Sequence, residues 1–193
     1  MPIYFKDLII ETREDVYTPA EDSFFMAKNI KVGAGNAVLD LGTGCGIQAL
    51  SASSKASHVL GVDVNPHAVE LARYNANLNR KDNTQFRESD LFNEVSGKYD
   101  TILFNPPYLP VDEVGPLAAA WSGGGDGVEA IKKTVTQAKK YLKPQGSVQI
   151  LASSMNHFQE LENYFQSQGF RIEELFESKI FFETLRLYRL TPK

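Results

Sequence analysis

One cysteine, Cys45, stands among 193 residues, so no disulfide can form within the chain and a reducing setting is expected. Long apolar runs are also missing, and none approaches the ~20 residues of a membrane-spanning helix. The N-terminus has no charged stretch followed by an apolar one. No secretory signal peptide is therefore expected, and the cytoplasm is the expected location. A basic excess is absent too. The net charge of -4 argues against a dedicated DNA- or RNA-binding surface. Lys132, Lys133, Lys139, Lys140 and Lys143 fall in one helical stretch and read as a solvated face. His58, His67 and His157 are scattered without metal-ligand spacing, so no metal site is expected. No repeat, low-complexity tract or long linker interrupts the chain. With 42% hydrophobic residues, a single domain over residues 1–193 is expected.

What is present is an alternation of strand and helix patterns. Ala37–Leu41 reads as a strand and Ile47–Lys55 as a helix behind it. His58–Val64 reads as a second strand. Asn65-Pro66 opens a helix to about Asn79, with Asn as N-cap and Pro at the first helical position. Thr84–Glu88 and Tyr99–Phe104 follow as strands. Asp126 with Glu129 resembles a capping box opening a helix to about Leu142, with Val128, Ile131, Val135, Ala138 and Leu142 at helical spacing. Ser147–Ala152 is a fifth strand and Asn156–Gln168 a helix stopped by Gly169. Arg171–Phe176 and Leu185–Leu190 follow one another without a helix, which predicts an antiparallel pair at one edge. Near the front, Thr18 as N-cap and Glu21 three positions on predict a helix over Pro19–Ile30. The pattern predicts a doubly wound α/β sheet.

Asp40-Leu41-Gly42-Thr43-Gly44-Cys45-Gly46 lies between the first strand and its helix, and its glycines allow close approach of a ligand to the backbone. The dinucleotide spacing G-x-G-x-x-G fails, because counting from Gly42 the third glycine position is Ile47. No Lys-Ser/Thr pair follows the glycines, so the phosphate-loop reading fails as well. Asp40 is expected at the mouth of the loop. A carboxylate there repels a pyrophosphate and holds an ammonium or sulfonium group. S-adenosylmethionine carries both and has no phosphate. Asp63, ending the second strand, is placed to accept from ribose hydroxyls, and Val64 follows it in the candidate cofactor set. Asp90 is placed to accept from the adenine amine, with Leu91 beside the ring. Cys45 reads as a small residue in a tight turn rather than a nucleophile.

Asn105-Pro106-Pro107-Tyr108 follows the buried run Tyr99–Phe104. The Asn side-chain oxygen and the Pro106 carbonyl are two neighbouring acceptors, able to hold both hydrogens of a planar NH2 group. Tyr108 covers the flat face of that group. Such a site suits a glutamine amide or an adenine amine. The expected catalytic set is therefore Asn105, Pro106, Pro107 and Tyr108.

Asp40–Gly46, Asp63 and Asn105–Tyr108 together resemble a class I S-adenosylmethionine-dependent methyltransferase. More narrowly, the chain resembles the HemK-like protein-glutamine methyltransferases that modify translation release factors. Val16–Ser23 is similar to that group's leading segment, residues 119–127 to its glycine-rich loop, and Lys179–Glu183 to a late motif. The shorter archaeal and eukaryotic form is the better match. The resemblance implies a Rossmann-like sheet of order 3-2-1-4-5-7-6 with helices on both faces. It implies Ser23 near the methionine end of the cofactor and a segment 1–30 covering the ligand. It also implies a release factor as protein substrate, methylated in its Gly-Gly-Gln motif, and a small zinc-binding activator protein.

Two other readings stand beside this one. Adenine-N6 methylation of DNA or RNA shares the Asn-Pro-Pro-Tyr signature, but the acidic balance opposes it. A non-catalytic methyltransferase-like subunit would not need Asp40, Asp63 and Asn105. Trp121 either lines the substrate groove or anchors its loop.

Overall fold

Ala37–Leu41 (β3) is buried at every position, as a strand covered on both faces must be. Its side chains alternate between two cores. Val38 joins one, and Ala37, Leu39 and Leu41 join the other. The first core receives α1 (Glu21–Asn29), α2 (Ile47–Ser53) and α3 (Pro66–Leu78). The second receives α4 (Glu129–Ala138) and α5 (Phe158–Ser167). The structure is a computed structural model, and it describes residues 2–107, 128–180 and 183–193.

The remaining strands of the sheet are β4 (His58–Asp63), β5 (Thr84–Glu88), β6 (Tyr99–Phe104), β7 (Leu142–Ser153), β8 (Phe170–Ile180) and β9 (Glu183–Pro192). Among the described residues they order as β5-β4-β3-β6-β7-β9-β8. Counted within this sheet alone, that is 3-2-1-4-5-7-6. All neighbours are parallel except β9, which runs antiparallel to both β7 and β8. From β3 the chain winds outward through β4 to β5, then returns to place β6 on the other flank of β3. The carboxyl ends of β3 and β6 therefore border the crevice where the winding reverses, the usual ligand position in open α/β sheets.

Several elements differ from the sequence expectation. The Thr18 cap does not form: α1 starts at Glu21 with Ala20 at the N-cap and no side-chain cap. Tyr17 and Asp22 are instead joined by a hydrogen bond across the start of this helix, which holds the preceding residues extended. α4 begins at Glu129 with Val128 at its N-cap and no side-chain cap, and Asp126 lies outside the described residues. α5 begins two residues later than expected, because Ser153 and Asn156 cap a short 3-10 turn, Ser154–Asn156, ahead of it. By contrast, Asn65 caps α3 as expected, accepting from His67 N.

A two-stranded hairpin, β1 (Ile3–Phe5) and β2 (Leu8–Ile10), has no counterpart in the sequence expectation. Its outer edge is met by helix α3 in place of another strand. Asn79 accepts from Ile9 N at 2.8 Å and donates to Ile9 O at 2.7 Å. Asn75 accepts from Glu11 N at 2.9 Å and donates to Glu11 O at 3.1 Å. Asparagines one helical turn apart thus satisfy alternate residues of a strand. The buried Asn75 amide also donates to Cys45 O at 2.9 Å, tying this seam to the glycine loop.

Candidate active site

Three glycines bend the loop after β3. Gly42, Gly44 and Gly46 all take positive φ, at 61°, 53° and 87°. A Cβ on Gly44 would meet nothing within 4 Å, so the loop is open there to a ligand. A Cβ on Gly46 would press on Ala72 of α3 at 3.2 Å, which makes Gly46 a helix-packing position as well. Thr43 N donates to Val62 O, fastening the loop to β4.

Asp40 does not stand at the loop mouth. It is 1% exposed, beneath the loop. Its Oδ2 accepts from Thr43 Oγ1 at 2.7 Å and from Ala49 N at 3.1 Å. Gly46, the N-cap of α2, has no side chain, so Asp40 caps that helix from the strand. The expectation failed because the α2 amides need an acceptor, and the strand residue beneath them supplies it. Asp40 Oδ1 is buried with no partner among the described residues. Burial pushes the Asp40 carboxyl up to about 7, against the opposing effect of its two donors and with a small push from Asp63.

Asp63 closes the loop from the side. Its Oδ2 accepts from Gly44 N at 2.8 Å, and its Oδ1 from Asn65 N at 2.9 Å. Burial raises its carboxyl, while the backbone amides of Asn65, Gly44 and Val64 hold it down. Ser89 N donates to Asp63 O, which brings the turn after β5 alongside. In that turn Leu91 is held at φ 48° and Asp90 is exposed. Val64 is 54% exposed, an apolar side chain facing water beside the Asp63 carboxylate.

Asn105 leaves β6 one residue beyond the Leu41–Phe104 register pair, so it emerges level with Gly42. Its Nδ2 donates to Asp22 Oδ2 at 2.8 Å. Its Oδ1 is buried and has no partner among the described residues. Asp22, 4% exposed, also accepts at Oδ1 from Tyr17 OH at 3.1 Å and Ser23 Oγ at 3.3 Å. Burial and the nearby Asp22 and Glu183 raise the Tyr17 phenol well above its ordinary range. Glu183 is itself held by the Ser153 hydroxyl at the end of β7. Ser23 O accepts from Gln48 Nε2 at 3.0 Å, so α1 is fastened to α2 here. Pro106 is buried and Pro107 partly so, while Tyr108 lies outside the described residues, as do residues 119–127 with Trp121.

The crevice thus brings Ser23, Asp40, Gly42, Gly44, Asp63 and Asn105 together on one side of the sheet. Asp22, Tyr17 and Glu183 join them; they lie in the segments Val16–Ser23 and Lys179–Glu183 that carry the resemblance, which assigns them no individual role. The signal for Asp22 is its place inside the segment Val16–Ser23, at the start of α1. Cys45 is buried and its thiol is pushed up to about 12 by that burial, so it is no nucleophile at neutral pH. The arrangement fits S-adenosylmethionine: an open glycine turn, two buried oxygens without a partner among the described residues, and acidic side chains along the crevice.

Comparison with known proteins identifies the family. Residues 19–179 match the family model described as a methyltransferase small domain. A Methanocaldococcus jannaschii protein provisionally named a protein N5-glutamine methyltransferase is 40% identical over 190 residues, covering 96% of each chain. A Fusobacterium nucleatum release factor glutamine methyltransferase is 32% identical over 148 residues, covering 70% of this chain and 42% of its own. Among solved structures, the E. cuniculi Mtq2-Trm112 complex, which methylates the eRF1 translation termination factor, shares the fold with a TM-score of 0.75. That match has 24% identity and covers 93% of this chain and 99% of the other. The chain is an enzyme that belongs to the methyltransferase small domain family, on a class I methyltransferase fold that uses S-adenosylmethionine.

Proposed function

We propose that this methyltransferase methylates the side-chain nitrogen of a glutamine, in the Gly-Gly-Gln motif of a translation release factor. One observation carries the reading. Asn105 Oδ1 is a buried acceptor without a donor among the described residues, at the strand end beside an open glycine turn. A buried acceptor left unpaired is costly, so a site that keeps one is built to receive a donor. Relatives named for glutamine methylation and for release factors support the substrate.

S-adenosylmethionine, when bound, supplies an electrophilic methyl group on a positively charged sulfur. In this reading Asp40 Oδ1 and Ser23 face its methionine end. Gly42, Gly44 and Gly46 form the turn against it, and Asp63 takes the ribose hydroxyls. Val64 and Leu91 flank the adenine, with Asp90 at its amine. Segment 1–30 covers the ligand, a role supported by the contacts of Tyr17, Asp22 and Ser23 in the crevice.

A glutamine amide is a poor nucleophile because its lone pair is delocalised into the carbonyl. Asn105 Oδ1 and the Pro106 carbonyl hold the two N–H bonds and return electron density to nitrogen. Pro107 stiffens the turn and Tyr108 covers the amide face. Holding the amide in line contributes several kcal/mol of barrier lowering, of order 7–11 in the best model systems. The carboxylates Asp22 and Glu183 favour the positive charge that grows on the amide. The proton leaves late, to water.

Charge also favours a protein over a nucleic acid. The crevice is lined by Asp22, Asp63 and Glu183, and the sequence of residues 108–127 contains Asp112, Glu113 and Asp126 but no Lys or Arg. A phosphate backbone with a charge every ~1.7 Å is disfavoured by this acidic balance. A small zinc-binding activator and a cytoplasmic site of action, beside the translation machinery, complete the proposal. Among the described residues no helix is long and apolar enough to cross a membrane.

The test is incubation with labelled S-adenosylmethionine and a release factor, its Gln→Ala variant at the motif, and a nucleic acid in parallel. Label is expected only on the unmodified motif glutamine, located by peptide mass spectrometry. Label on the nucleic acid alone overturns the proposal. Asn105→Ala should bind the cofactor normally and turn over about 10²–10³-fold more slowly, the usual effect of deleting one preorganised hydrogen-bonding group.

A further inference from the structure

We propose that Asp22 is a positioning residue that sets which way round the Asn105 amide faces, and that Tyr17 and Ser23 hold Asp22 for that purpose. The inference rests on the acceptor role proposed for Asn105. An asparagine amide is nearly symmetric in shape, and only its hydrogen-bond partners distinguish oxygen from nitrogen. As a carboxylate, Asp22 accepts and cannot donate. It lies 2.8 Å from Asn105 Nδ2, so the opposite orientation would set two oxygens against each other. Nδ2 is therefore held on the Asp22 side, and Oδ1 is turned to the place where it lacks a partner.

The second Asp22 oxygen receives Tyr17 OH and Ser23 Oγ. All three donors converge on one carboxylate that is 4% exposed, and all of them suit its ionised form. Tyr17 and Asp22 belong to the leading segment, and Asp22 is 83 residues away from Asn105 in the chain. The reactive amide thus faces correctly only when that segment is docked.

The experiment exchanges hydrogen-bonding character without changing volumes. In Asp22→Asn the new amide oxygen stays with Tyr17 and Ser23, and the new NH2 points at Asn105. Asn105 then turns over, and its own NH2 faces the substrate NH2. Turnover should fall about 10²–10³-fold, as in Asn105→Ala, because the acceptor is lost in both, while the cofactor Kd changes less than about threefold. Tyr17→Phe should lower turnover less, since Ser23 still holds the carboxylate.

The double variant Asp22→Asn with Asn105→Asp restores the match of donor to acceptor and again turns an oxygen to the substrate. It should recover turnover relative to Asp22→Asn alone. Independently of any substrate, the Asn105 side-chain amide signals, assigned by their loss in Asn105→Ala, should shift in Asp22→Asn and exchange with water faster. Wild-type protein that methylates no glutamine refutes the substrate reading, and the amide signals still decide the orientation. An Asp22→Asn protein with wild-type turnover and wild-type amide signals, or a double variant no better than Asp22→Asn, overturns the proposal.

Discussion

Replacing Asp40 with asparagine should make the folded protein less sensitive to alkali. Asp40 is 1% exposed, and burial lifts its carboxyl from 3.8 to about 7. Between about pH 4 and pH 7 the folded chain therefore holds a proton that the unfolded chain has released. Stability contributed by the neutral form is present below the unfolded pKa and is lost as pH rises through the folded one. At 1.36 kcal/mol per unit, the loss between pH 4.5 and pH 8 is about 3 kcal/mol. The amide introduced by Asp40→Asn cannot ionise. Its carbonyl keeps the bonds to Thr43 Oγ1 and Ala49 N, and its NH2 takes the place of the unpaired Oδ1.

That buried NH2 has its own penalty of about 1–3 kcal/mol, but the penalty does not change with pH. The informative quantity is the wild-type/Asp40→Asn difference at the two pH values, measured by urea unfolding without ligand. The difference should move by about 3 kcal/mol in favour of the variant, or about 6–12 °C in Tm. Cofactor affinity should move the other way. Wild-type binding strengthens as pH rises through 7 and the carboxylate forms; the variant binds weakly at every pH. A stability difference that stays constant from pH 4.5 to pH 8 would refute the reasoning.

Two further substitutions probe the scaffold. Gly61→Ala places a Cβ 2.6 Å from the Phe86 ring and 2.7 Å from Thr43 Oγ1, in the middle of β4. It should destabilise the protein by about 1–3 kcal/mol and, by moving Thr43 away from Asp40, weaken cofactor binding; a urea midpoint equal to wild type would contradict this. Asn75→Ala removes one bond from Glu11 N and two to the carbonyls of Glu11 and Cys45. A loss of about 2–4 kcal/mol is expected, with faster hydrogen exchange at Glu11 and around the hairpin; unchanged exchange there would show that the seam contributes nothing.

The short parallel strands are the legible part of the chain. Ala37–Leu41, Thr84–Glu88 and Tyr99–Phe104 are strands with the bounds expected from their patterns. Buried parallel strands such as the first and last of these declare themselves because nearly every position must be apolar. The closing pair is longer than its apolar residues suggest: β8 and β9 extend to Ile180 and from Glu183, where half-exposed and charged residues carry no apolar signal. The hairpin at Ile3–Ile10 is invisible in the sequence because its strands are three residues each and the outer edge of the second is met by the Asn79 side chain, 70 positions away. At the site, the glycine turn, Asp63 and Asn105 are identifiable from position alone. Asp40 is misplaced by such reasoning because sequence shows that a carboxylate precedes a turn but not that a helix start above it needs an acceptor. Asp22 escapes notice for a similar reason: its neighbour Glu21 fits a capping pattern, and the partner that gives Asp22 its purpose comes from the end of β6.

The asparagine seam on α3 has a consequence for how the molecule breathes. Ile9 and Glu11 are protected from water by two amide side chains rather than by a neighbouring backbone, so their protection lasts only while α3 stays put. Asn75 grips Cys45 O with the same NH2, so lifting the hairpin loosens the glycine turn as well. Hairpin, third helix and glycine turn should therefore open as one cooperative unit, with matched exchange rates at Ile9, Glu11 and Gly46.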